Sequence, residues 1–221
     1  MTNFPTRPIR FYRMSTSGHC HRVETLLSIL GLPFEPVEVD LSRGDQRRPE
    51  FLALNPFGQV PVIDDDGIVI ADSNAIMVYL VQRYAPDTSW WPKDPAEAAR
   101  VHRWLSAAAG QLAYGPALLR FVTLLKLPKD CTDELARAHT LFLLIEQTLR
   151  SGQTNGFIVG AAPTLADLAL YAYTKHAPSS GVSLECYPEI CDWLGRIEAI
   201  PGFVRLRGII APAALADVTT A

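Results

Sequence analysis

The stretch from residue 60 to residue 84 constrains this chain more than any other. Two short apolar runs, 60–63 and 68–70, flank Asp64-Asp65-Asp66-Gly67. An Asp-Gly turn between apolar runs is a strong hairpin signal. Residues 72–84 then read as a helix, opened by Asp72-Ser73, two residue types that cap helices well. The first strand carries Pro61 near its start, and proline cannot donate to a ladder. Pro61 therefore lies on an edge, forms a bulge, or takes the cis form in a tight turn. A cis bond would leave the backbone of Val60 free to pair with a peptide-like ligand. An ordinary trans edge proline would not.

The residues before this unit extend it. Residues 9–14 and 34–39 read as strands. Between them, Val23, Leu26, Leu27 and Leu30 keep helical spacing over 22–30, with Gly31 as the stop. Residues 49–54 read as a short helix or helical turn. The order over 1–84 is β-α-β-α-β-β-α. Residues 85–95, APDTSWWPKDP, hold three prolines and no apolar period, which marks a linker. From residue 96 the pattern is helical. Ala98, Val101, Leu105, Ala108 and Leu112 share one spacing, and Leu135, Ala138, Phe142, Ile145 and Leu149 another. Thr164 opens a further helix with Asp167 three residues on. That helix is apolar nearly all round from Leu165 to Ala172, so it belongs at the centre of a bundle. Pro188 and Pro201 each stand where a short helix could begin. The expected architecture is an α/β domain over 1–84, a linker over 85–95 and an all-helical domain over 96–221. A crevice between such domains suits a small ligand.

Composition removes several function classes. The chain has 221 residues, is 48% hydrophobic and carries a net charge of −3, which gives no electrostatic case for nucleic acid or an anionic membrane. The densest basic group, 43–48, is short and holds an Asp, so it reads as a solvated loop or helix end. Four cysteines are too few and too uneven for a disulfide framework. The N-terminus has no apolar signal region. The most apolar stretch, 157–173, is interrupted by Pro163 and Asp167, so no membrane span is expected. A reducing cytoplasm is the expected location. His19-Cys20-His21 does not read as a metal site. Consecutive helical residues point about 100° apart, and no second cluster completes a tetrahedron. Cys186, Cys191, His102, His139 and His176 read as core or surface residues.

Two places remain that could carry chemistry. A helix beginning at Asp72-Ser73 offers free N–H groups and partial positive charge to a carboxylate. Asp72 could accept from an ammonium group at the same time, so the pair would hold an α-amino acid moiety. Ser17 sits between the first strand and the first helix. The spacing Ser17-x-x-Cys20 is that of a C-x-x-C redox motif with its first cysteine replaced. A hydroxyl there, together with a helix N-terminus, could lower a bound thiol's pKa by about one to two units. Simple N-capping by Ser17 accounts for the same residue.

These pieces resemble the cytosolic glutathione S-transferase family, of the bacterial, theta-like, serine type. The stretches that carry the resemblance are NPFGQVPVIDDDGIVIADSNAIMVYL, residues 55–80, and FIVGAAPTLADLALYAY, residues 157–173. The resemblance implies a thioredoxin-like domain followed by an all-α domain, and a homodimer. It implies glutathione as co-substrate, with a small electrophile as the second partner. Pro61 would be cis, with Val60 pairing to the cysteinyl part of glutathione. Asp72 and Ser73 would hold the γ-glutamyl end, and Gln59 would lie near the glycyl end. Ser17 occupies the activating position, six residues before Val23. Several relatives carry a basic residue where this chain has Gly58, so the glycyl carboxylate would fall to Gln46, Arg48 or water. Ser15, Thr16 and His19 lie near enough to share the activating role. Tyr114, Leu118 and Phe121 are candidates to line the electrophile pocket. Rival readings are a thiol transferase or reductase using Cys20, and a non-catalytic glutathione-binding module.

Overall fold

The computed structural model describes residues 4–152 and 154–206. The N-terminal half is a four-stranded mixed sheet with helices, and the C-terminal half is helical. The strands are β1 (Ile9–Arg13), β2 (Phe34–Glu38), β3 (Val62–Asp65) and β4 (Ile68–Ala71), in the order β2-β1-β3-β4. β1 runs parallel to β2 and antiparallel to β3, and β3 pairs antiparallel with β4. The hairpin turns at Asp66 and Gly67, both at positive φ, as a two-residue primed turn requires.

Helix α1 (Gly18–Ile29) begins four residues before the expected Arg22. The reason is local: the Ser17 side chain accepts the Cys20 N–H at 3.3 Å, which caps the helix one turn earlier. After α2 (Pro49–Leu54), α3 (Ser73–Tyr84) is capped by Asp72, whose carboxylate accepts from the N–H groups of Asn74 and Ala75. The expected helix over 98–112 continues further than its spacing foretells. α4 (Pro95–Ala107) runs into a π-helical stretch, Ala108–Ala117, and then into α5 (Leu118–Leu124). Pro116 has no N–H to return to the preceding turn, and the helix is wound wider around it.

α6 (Thr132–Arg150), α7 (Leu165–Lys175) and α8 (Pro188–Glu198) complete the described bundle. α7 is its axis, with every residue from Leu165 to Thr174 buried. Asp167 is buried with it and accepts from the N–H groups of Ile158 and Thr164 and from Trp193 Nε1, at 2.8–2.9 Å. One continuous core joins the two halves, from Ile9 and Phe11 through Val23 and Leu27 to Ala169, Phe142 and Trp193.

The helix expected at Pro201 does not form. Pro201 and Gly202 make a turn instead, and the chain runs on unstructured to residue 206. Gly202 has φ +84°, and a Cβ there would lie 3.0 Å from Ser28 O and Ile29 Cα. The chain is folded back tightly over the end of α1, which leaves no room for a helical entry. The rest of the expected helical domain, beyond residue 206, lies outside the described residues.

Candidate functional site

The strand register decides which segments meet. Tyr12 pairs with Val62, and Val62 with Ala71. Because these neighbours are antiparallel, the exit of β1, the entry of β3 and the exit of β4 fall at one end of the sheet. That end therefore carries Ser17, Val60-Pro61 and Asp72-Ser73 together. The three lie far apart in sequence.

The Val60-Pro61 bond is cis. Val60 stands just outside the β3 pairing, and among the described residues its N–H and C=O find no hydrogen-bond partner. The loop before it is held by Asn55, whose Nδ2 donates to Gln59 O at 2.8 Å. Gly58 has φ +60°, and a Cβ there would come within 3.2 Å of Gln46 O. The missing side chain lets Gln46 approach the loop next to exposed Gln59. The Gln46 side-chain oxygen is buried with no donor. Arg48 is paired with Asp45 at 2.7 Å.

Asp72 has φ +74° and ψ 125°. A non-glycine residue held there costs on the order of 1–3 kcal/mol, and such residues cluster at ligand sites. Behind it, Ser73 is buried in a polar network. Arg22 Nη1 donates to Asn74 Oδ1 at 3.0 Å and to Ser73 Oγ at 3.4 Å. Ser73 Oγ also lies 3.4 Å from His19 Nδ1. Arg22 is 1% exposed, and among the described residues its Nε and Nη2 have no hydrogen-bond partner. Burial lowers its pKa to about 10, so it remains charged at neutral pH. An uncompensated buried cation beside a helix N-terminus suits an arriving carboxylate.

The turn from β1 into α1 is clamped from several sides. The Ser15 N–H donates to Glu38 Oε1 at 3.1 Å, and Glu38 and Glu24 both pair with Arg13. Arg120 Nη1 donates to the Thr16 carbonyl at 3.4 Å. The Tyr173 ring lies over Gly18, where a Cβ would meet its Cζ at 2.7 Å. The His19 ring meets the same tyrosine edge-on at 5.1 Å. Burial, helped by the Arg22 charge, lowers His19 to about 3, so its ring is neutral. Ser17 Oγ uses a lone pair on the Cys20 N–H and keeps its proton to donate. Cys20 points into the core at 1% exposure, and burial pushes its thiol up to about 12. Such a thiol is inert.

Tyr114 and Phe121 project outward, 61% and 53% exposed, and Leu118 is half-buried. No described hydrogen bond or ring contact joins these three to the Ser17 turn. The residue of this helical stretch that does reach the turn is Arg120. Sequence reasoning passed over Arg22, Asn74, Arg120 and Tyr173. A signal existed for Arg120, the one charge in the run LLRFVTLL. None existed for Arg22, whose burial follows from how α1 packs. Among the described residues no group of three His, Cys, Asp or Glu side chains could hold a metal ion.

A family model described as the glutathione S-transferase N-terminal domain matches residues 16–83, and one described as the C-terminal domain matches 98–201. Glutathione S-transferase 3 of Zea mays is 31% identical over 89% of this chain and 91% of its own length. A glutathione S-transferase from Xanthobacter autotrophicus superposes with a TM-score of 0.82 at 33% identity, covering 90% of this chain and 96% of that one. One from Pseudomonas fluorescens gives 0.84 at 30% identity, covering 91% and 100%.

Proposed function

Because the chain belongs to the glutathione S-transferase family, and is an enzyme of that kind, we propose that Ser17 donates a hydrogen bond from its hydroxyl to the sulfur of bound glutathione, whose own proton goes to solvent. The thiolate so stabilised attacks a small electrophile. The observation that carries this reading is the Ser17 hydroxyl at the sheet end shared with Val60 and Asp72-Ser73, its oxygen anchored by the Cys20 N–H. Val60 pairs through its free backbone with the cysteinyl unit. Asp72, Ser73 and the N-terminus of α3 hold the γ-glutamyl end, with the Arg22 charge behind them. Gln46 and Gln59 serve the glycyl end. Tyr114, Leu118 and Phe121 form the outer wall on the electrophile side. The protein works as a cytoplasmic homodimer. The buried, strongly raised Cys20 thiol speaks against a reductase that uses it.

Catalysis here is thiol activation plus proximity. The test is glutathione affinity, the pKa of bound glutathione and turnover of a chlorodinitrobenzene, for wild type, Ser17→Ala and Cys20→Ser. Ser17→Ala should lower kcat/KM by about 10- to 100-fold and raise the bound thiol's pKa by about one to two units. Cys20→Ser should keep turnover. Full turnover by Ser17→Ala at an unchanged thiol pKa would refute the assignment. Loss of activity in Cys20→Ser alone would move it to thiol transfer.

A further inference from the structure

Arg120 is the one charged residue in an apolar stretch of α5, flanked by Leu118, Leu119, Phe121 and Val122. It is 6% exposed and pairs with no carboxylate among the described residues. Its one described hydrogen bond runs from Nη1 to the Thr16 carbonyl, one residue before Ser17. Its charge is felt by Tyr173, which covers Gly18, and by His176, and neither is an anion at neutral pH. The remaining nitrogens, Nε and Nη2, have no partner among the described residues, and they are not among the fully buried orphan atoms, as those of Arg22 are. The residue stands where the helical half meets the Ser17 turn. The guanidinium is therefore largely desolvated, tied to the Ser17 turn by one hydrogen bond, and short of partners for its other nitrogens among the described residues. A buried guanidinium without a counter-ion is costly. Its open fork fits a planar oxyanion from outside.

We infer that Arg120 is a specificity-determining residue, selecting electrophiles that carry a carboxylate close to the carbon the sulfur attacks. This rests on the proposed thiol chemistry, in which the carboxylates of glutathione are taken up by the α3 N-terminus and by the Gln46–Gln59 side. The thiolate is a single-atom acceptor already served by Ser17, so a planar carboxylate that matches two guanidinium nitrogens has to come from the second substrate. For a chloronitrobenzoate, the thiolate forms the C–S bond, the C–Cl bond breaks, and chloride leaves with the bonding pair. The thiol proton has already gone to solvent. Arg120 holds the ring's carboxylate and takes no proton.

The experiment compares a chloronitrobenzoate with its methyl ester as electrophiles, for wild type, Arg120→Gln and Arg120→Lys at saturating glutathione. Binding of nitrobenzoate without glutathione is followed in parallel by tryptophan fluorescence. The wild-type acid-to-ester ratio of kcat/KM should fall about 10- to 100-fold in Arg120→Gln, the range of one charged hydrogen-bonded contact. Arg120→Lys should recover part of it. Nitrobenzoate affinity should fall with the ratio. An unchanged ratio, both substrates slowing together, would mean that Arg120 acts on the thiolate or on the turn, and would overturn the inference. So would equal nitrobenzoate binding by wild type and Arg120→Gln. If the protein bound no glutathione, the proposed function would fall, while the nitrobenzoate arm would still decide the role of Arg120.

Discussion

Lowering the pH from 7 to 5 should weaken the fold at the seam between its two halves, and His21 is where the effect can be traced. His21 lies on α1, with Nε2 2.6 Å from the Val204 carbonyl. A carbonyl only accepts, so Nε2 carries the proton. Nδ1 is buried without a partner. The ring stacks on Tyr171 and meets Phe203 edge-on, both at 5.8 Å. A second proton would have to sit on Nδ1, in an apolar pocket with nothing to receive it. Burial accordingly lowers His21 from 6.5 to about 4, and His19 to about 3. The unfolded chain takes up these protons below about 6.5, while the folded protein refuses them until about 4. Both groups therefore favour the folded state fully above 6.5, and that stability is lost as the pH falls toward 4. Integrated between pH 7 and 5, each contributes a loss of about 2 kcal/mol, or about 4 kcal/mol for the pair.

For a chain of this length that is a fall in Tm of about 8–16 °C. Half-buried His176, lowered to about 4 chiefly by burial, adds in the same direction. Asp167, which burial holds above the usual carboxylate range, contributes with the opposite sign. The deciding comparison is therefore between variants: Tm by circular dichroism at pH 7, 6 and 5 for wild type and His21→Gln. Glutamine offers the Val204 carbonyl a donor that does not titrate, so its Tm should fall about 4–8 °C less than the wild type's, the share of one histidine. A wild-type Tm that stays level over this range would refute the reasoning. A His21→Gln curve as steep as the wild type's would refute it equally.

Two further outcomes follow from buried polar groups. Asp167→Ala leaves three buried donors, on Ile158, Thr164 and Trp193, without their acceptor. At about 1–3 kcal/mol for each orphan, urea unfolding should read a loss of roughly 4 kcal/mol or more. Arg22→Met removes an unpaired buried charge together with its bonds to Ser73 and Asn74. Calorimetry should find glutathione binding weakened about tenfold while the ligand-free Tm holds or rises. A large drop in Tm with unchanged binding would make Arg22 a strut only.

Much of the fold was legible because its causes are local. The hairpin at Asp66-Gly67, the cap at Asp72, the box between Thr164 and Asp167 and the apolar girth of α7 are each decided by residues within a few positions of one another. Local reading erred in two ways. It started α1 too late by following apolar spacing and not the local cap that the Ser17 hydroxyl makes, and it could not see that Pro201 opens no helix because the chain is pressed against distant Ser28 and Ile29.

The sequence by itself therefore determined the kinds of element, their order and the polar residues available at their ends. Tertiary structure alone decided what those residues became. Val60, Asp72 and Ser17 share one end because strand register brings them there. Arg120 reaches Thr16 across 104 positions, and His21 reaches Val204 across 183. Burial sets whether a thiol, an imidazole or a guanidinium is inert, neutral or unsatisfied. Burial depends on which faces meet when the two halves pack, and no spacing along the chain records that.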